Sequence, residues 1–197
     1  MCSVPRRGSG NQIRGDDSVR LELLSSGHAR RLERFELNNR EFFASRIGDR
    51  GDDYFAHFDE RLAELVEENR VGTSLLGVLV DPRGEIVARV NITDIHQSDA
   101  TEIGFRVAKS VQGRGIARTG VRLALELAAA HGVRVVHARV AADNPASRRV
   151  LEVCGFEATG PVPAPDGSSR AFTGYVIRLG VDTEMPRGEA QGQVDLT

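Results

Sequence analysis

The residues best placed for chemistry are Gln112-Gly113-Arg114-Gly115-Ile116-Ala117, where two glycines open the helical pattern TGVRLALELAAAH. The first backbone N–H groups of a helix have no partner within it, and the helix dipole favours negative charge there. Missing side chains also let a phosphate oxygen come close. The ligand this predicts is a diphosphate. The competing reading is a tight turn with no ligand at all. No Lys-Ser or Lys-Thr closes the loop as in a P-loop, and Arg118 stands where a dinucleotide fingerprint needs its third glycine. Neither ATP nor NAD is expected.

A second candidate is Glu102. In Glu102–Val107 the apolar Ile103, Phe105 and Val107 alternate with Glu102, Gly104 and Arg106, so one face packs on a core and the other is free to line a cleft. A carboxylate on that cleft face is a candidate general base acting through water. A strand-edge salt bridge is the alternative. A third is the run from Asp143 to Phe156, in which Asn144 suits an N-cap, Pro145 the first helical position and Gly155 the helix end. Cys154 reads as a small, inert apolar residue. His28, His57, His96, His131 and His137 are scattered with no metal-binding spacing, so no metal is expected.

These residues need elements to hold them. Val19, Leu21 and Leu23 alternate with polar neighbours in a first strand, followed by a helix over His28–Phe43. Tyr54, Phe55, Phe58, Leu62, Leu65 and Val66 recur at helical spacing behind Asp52 and Asp53. Thr73–Val80 and Glu85–Ile95 read as a hairpin turned at Asp81-Pro82-Arg83-Gly84. Glu102–Val107, the glycine-started helix and Val133–Ala141 then form a right-handed βαβ unit with parallel strands. After a Pro/Gly/Asp loop at Gly160–Gly167, Ala171–Leu179 reads as a final antiparallel strand.

The 197 residues suffice for one domain, expected over 18–180, able to bury roughly 70% of its unfolded surface. Residues 1–17 and 181–197 carry too little apolar side chain to offset their ordering entropy and are expected as disordered tails. A net charge of −2 with dispersed arginines gives no global field for nucleic acid. Two cysteines, Cys2 and Cys154, build no disulfide or zinc framework, and no run approaches the ~20 apolar residues of a membrane span. A cytoplasmic protein without membrane or nucleic-acid partners, monomer or homodimer, is expected.

Gln112, Gly115 and Ala117 match the acetyl-CoA signature Gln/Arg-x-x-Gly-x-Gly/Ala of the GNAT superfamily of N-acetyltransferases. Asn144, Ser147 and Gly155-Phe156 match a second family pattern, in the right order. From about Val19 to Leu179 the chain resembles these proteins, most nearly their ribosomal-protein alanine N-acetyltransferase branch. The resemblance implies an α/β (α+β) fold: a single GNAT-type domain whose mixed, mostly antiparallel sheet has flanking helices and a central splayed parallel strand pair. That pair would be Glu102–Val107 and Val133–Ala141. Acetyl-CoA would be the cosubstrate, its pantetheine arm pairing with backbone near Phe105 and Val107. Amides of Gln112, Gly113, Arg114, Gly115, Ile116 and Ala117 would hold its diphosphate, and Asn144 and Ser147 would approach the pantetheine or diphosphate end. Arg114 and Arg148 are candidates for added charge-assisted contacts.

The implied reaction is direct acetyl transfer to a primary amine, of a protein N-terminus or of a small molecule. Glu102 would be the base and a backbone N–H at Phe105 or Val107 the oxyanion donor. Leu151 replaces a tyrosine that protonates the departing thiolate in many relatives, which leaves the general acid unassigned, with Tyr175 a weak candidate. It also keeps open a catalytically silent acyl-CoA-binding domain. His57 and His96 are candidates for the acceptor pocket; an acidic pocket would favour a polyamine or aminoglycoside, a shallow groove a peptide.

Overall fold

The structure, a computed structural model, describes residues 12–14, 19–165 and 169–180. Its strands are β1 Gln12–Arg14, β2 Arg20–Leu23, β3 Leu75–Val80, β4 Ile86–Thr93, β5 Glu102–Val107, β6 Val135–Ala141, β7 Glu157–Val162 and β8 Phe172–Arg178. They form one eight-stranded sheet in the order β1-β2-β3-β4-β5-β6-β8-β7, antiparallel throughout except between β5 and β6. The helices are α1 Ala29–Asn38, α2 Arg40–Ile47, α3 Asp52–Ala56, α4 Phe58–Val71, α5 Ile116–Ala130 and α6 Pro145–Val153. This is the mixed, mostly antiparallel sheet with one parallel pair that the sequence implies.

Helices cover both faces, which is why the β3 sequence LLGVLV is apolar without interruption and buried at every position. Leu75 and Leu79 belong to a core shared with Val121, Leu125 and Ala128 of α5. Leu76, Val78 and Val80 belong to a second core with Leu32, Phe35, Tyr54, Phe58 and Leu62. Gly120 lets α5 come down on β3, because a Cβ there would lie 2.7 Å from Leu79 Cδ1.

Several boundaries differ from the sequence reading. The single helix expected over His28–Phe43 is broken at Asn39 (φ −114°, ψ 7°), whose Nδ2 donates to Phe35 O at 2.8 Å and whose Oδ1 accepts from Lys109 N–H at 2.9 Å. A short polar side chain that bonds the backbone competes with helix continuation. A second break, at His57, separates α3 from α4. Glu157–Val162 is a strand, so the loop expected from Gly160 starts only after Val162, and residues 166–168 lie outside the described residues. Within the stretch 1–17 expected as a tail, Gln12–Arg14 pairs antiparallel with Arg20–Glu22. Composition weighs side-chain burial, whereas a sheet edge offers backbone partners to any sequence. The rest of that stretch, and 181–197, lie outside the described residues.

Candidate active site

The parallel strands meet at one end only. Their registered pair is Glu102 opposite His137, and His137 N–H donates to Thr101 O at 2.8 Å. β4 stays paired with β5 as far as Val107, and β8 with β6 as far as Ala141. Each parted strand therefore keeps one ladder and turns an unladdered edge toward the gap, where backbone donors and acceptors need partners.

The glycine loop lies at the open end of this V. Gln112 Nε2 donates to Val107 O at 2.8 Å, pinning the loop to the end of β5. Gly113 and Gly115 have φ of 75° and 77°, the left-handed region that favours glycine. Gly115 is the N-cap of α5, and the first bond of that helix runs from Thr119 N–H to Gly115 O at 3.0 Å. The amides of Ile116, Ala117 and Arg118 come before it. No side chain caps this terminus and its first turn holds no acid but does hold Arg118, a cation where the dipole disfavours one. A bound anion reverses that conflict.

Phe105, Val107, Gln112, Ala117, Asn144 and Ser147 line a narrow channel of about 100 Å³. Arg46, Phe105, Arg106, Asn144 and Ser147 also line a wider cavity of about 620 Å³, which reaches Asn91, Gly104 and Leu151. The structure thus gathers most of the expected cofactor residues along one cleft. Arg114 and Ile116 have side chains elsewhere, lining a groove of about 1130 Å³ between α1, the β3–β4 turn and residues 108–111. That groove is larger, yet it shares no lining residue with the cleft and does not touch the parted strands. The cleft lined by the parted strands is therefore the candidate site.

Other expectations meet specific contacts. Glu102 is held by Arg139, whose Nε lies 3.1 and 3.0 Å from its two carboxylate oxygens and whose Nη2 donates at 2.6 Å. The salt bridge that was the alternative for Glu102 is present. Asn144 Oδ1 accepts from Ser147 N–H at 3.1 Å, so Asn144 is a helix cap as well as a wall of the cleft. At Val107 the carbonyl already accepts from Gln112 Nε2. Tyr175 is buried in the core beside Ala138 and lines neither cavity, nor do His57 and His96. Burial pushes the Cys154 thiol up, as suits an inert residue. Arg148 lines neither cavity, and its buried Nε has no hydrogen-bond partner. Among the described residues no group of three His, Cys, Asp or Glu side chains could hold a metal, and no helix is long and apolar enough to cross a membrane.

Sequence reasoning passed over three features. Asn91, opposite Gly104 on β4, lines the wide cavity, and its buried Oδ1 has no hydrogen-bond partner. Asn39 holds the amide of Lys109, just ahead of the glycine loop. A buried triad ties α1 to the sheet: Glu36 Oε1 accepts from Arg89 Nη1 at 3.0 Å and forms an ion pair with Arg106 Nη2, also at 3.0 Å. Only the polar Arg89 and Asn91 inside the apolar run Ile86–Ile92 signalled that this face of β4 is not ordinary core.

The model of the acetyltransferase (GNAT) domain family matches residues 19–157. No curated protein sequence matches the chain. Among solved structures, ribosomal-protein-S5-alanine acetyltransferase from Vibrio fischeri superposes with a TM-score of 0.77 at 21% identity, covering 85% of this chain and 96% of that one. Mycobacterium smegmatis RimJ, solved in complex with CoA-disulfide, gives 0.72 at 24% identity over 81% of each chain. Spermidine N-acetyltransferase from Vibrio cholerae, solved with CoA and spermine, gives 0.68 at 21% identity over 83% of this chain and 96% of that one. Parted parallel strands with a glycine-opened helix between them, and a family model spanning well over half the sequence, lead to one assignment: the chain belongs to the GNAT acetyltransferase family.

Proposed function

We propose that the protein transfers the acetyl group of acetyl-CoA to a primary amine by direct attack in a ternary complex. The observation that carries this reading is the V between β5 and β6 with unpartnered helix-start amides at its open end. Amides of residues 112–117 hold the diphosphate, and the pantetheine arm runs along Phe105 past Asn144 and Ser147. The thioester then reaches the wide cavity beside Gly104. Relatives solved with coenzyme A support the choice of ligand.

The amine nitrogen attacks the thioester carbonyl, a backbone N–H at Phe105 stabilises the oxyanion, and the C–S bond breaks to leave amide and coenzyme A. Asn91 Oδ1 accepts from the incoming amine. Glu102 receives the amine proton through water, on lone pairs that Arg139 leaves open. Among the described residues lining the two cavities, Ser147 carries the only hydroxyl, which donates a hydrogen bond to the departing thiolate, while the proton taken from the amine passes through water to solvent or to the thiolate.

A thiol-release assay with acetyl-CoA and a panel of amines tests the reading. Gly115→Val, strained at a positive φ and intruding on the diphosphate, is expected to weaken coenzyme A binding at least about tenfold, the loss of one charge-assisted hydrogen bond. Unchanged affinity overturns the loop assignment. Binding without turnover of any amine makes the protein a silent acyl-CoA-binding domain.

A further inference from the structure

The wide cavity is lined by six arginines, Arg46, Arg50, Arg89, Arg106, Arg139 and Arg170, and by no carboxylate among the described residues. Three carboxylates outside that wall engage four of them: Glu36 takes Arg89 and Arg106, Glu102 takes Arg139 and Asp143 takes Arg170. Arg46 and Arg50 lie over the rings of Phe42 and Tyr54, at 4.6 and 4.4 Å from the centroids. Arg46, Arg50, Arg89 and Arg106 thus have one engaging carboxylate among them, Glu36, which leaves guanidinium charge in excess along that part of the wall.

Part of that excess is buried. Arg89 is 3% exposed, and its Nε has no hydrogen-bond partner. Burial pushes the Arg106 guanidinium down to about 9; Glu36 opposes this, while Arg89 and Arg50 add to it. A buried cation short of a counter-charge is unfavourable until an anion reaches it. The cofactor's diphosphate is not that anion, because Arg50, Arg89 and Arg139 line the wide cavity and not the channel toward the glycine loop.

We infer that the acceptor amine carries carboxylate or phosphate groups close to its reacting nitrogen, and that these arginines bind them. The inference rests on the acetyl-transfer reading and narrows it to anionic amines. Polyamines and aminoglycosides are disfavoured by like charge. Asn91, whose buried Oδ1 has no hydrogen-bond partner, adds an uncharged acceptor beside them for the amine itself.

The test compares acetylation rates for Ala-Asp-Glu and glucosamine 6-phosphate with those for Ala-Lys-Lys amide and spermidine. The anionic probes are expected to show kcat/KM more than about 100-fold higher, a gap that narrows in 1 M salt. Arg50 is exposed, so Arg50→Gln leaves folding intact. It should shrink the anionic-to-cationic ratio about tenfold, with partial recovery in Arg50→Lys. Because each ratio is taken within one protein, general losses of activity cancel. Faster acetylation of the cationic probes, or a ratio unmoved by Arg50→Gln, overturns the inference and leaves acetyl transfer standing. If no amine is acetylated, acetyl transfer itself fails, and calorimetry with N-acetyl-Ala-Asp-Glu decides the anion site: binding weakened by Arg50→Gln supports it, no binding ends it.

Discussion

Glu102 lies outside the cavity wall with its carboxylate in the fork of Arg139, so the base role proposed for it can be separated from a role as a strut by pH. A protein α-amino group has a pKa near 8, and about 1 kcal/mol frees its lone pair at pH 7. Glu102→Gln is expected to lower kcat/KM about 100-fold at pH 7 and far less at pH 9, where the amine is already neutral. A loss equal at both pH values, read from the pH–rate profile, assigns Glu102 to strand pairing alone. Gly104 offers a complementary probe. Nothing lies within 4 Å of the position its Cβ would take, so Gly104→Leu should fold with an unchanged Tm. Its side chain would occupy the attack path, and kcat/KM should fall at least about 100-fold. The glycine loop and the Asn144 cap were legible because their geometry is set within a few consecutive residues. The arginine excess was not: Arg46, Arg89, Arg106 and Arg139 come from α2, β4, β5 and β6, and only the tertiary fold gathers them.

The elements carry constraints of their own. Arg89 and Arg106 are cross-strand neighbours whose like charges repel, and Glu36 is the carboxylate that lets both remain under α1. Glu36→Gln leaves two buried guanidinium groups without their counter-charge. It should cost about 3–5 kcal/mol in urea unfolding, with α1 the first element to lose amide protection. Gly120→Val tests the seat of α5: the added methyls meet Leu79, which is fully buried, and overpacking should cost about 1–3 kcal/mol. The apolar spacing of residues 28–43 announced a helix but not its break. A period of 3.6 registers faces, whereas the interruption comes from one amide side chain, Asn39, bonding both Phe35 and Lys109. The same limit hid β7, whose sequence EATGPV is largely exposed and has no alternation to read.

At the scale of the molecule, the sheet was legible where its strands are apolar or alternating and opaque at its margins. β3 to β6 supply the buried centre and could be ordered from pattern and from the handedness of the βαβ unit. β1 and β7 are the outer strands of the sheet, and backbone pairing at an edge leaves little mark on sequence. The strand pair that touches only at Glu102 and His137 has a further consequence. Its inner edges lack a ladder, so on the proposed reading an amide-bearing pantetheine arm would complete the β-structure in the way a missing rung completes a frame, and cofactor capture would act as a last step of folding. Saturating coenzyme A at 100 times its Kd should then add about 2.7 kcal/mol of stability. Hydrogen exchange should slow most at residues 104–107 and 138–141, in the very strands that the ligand welds together.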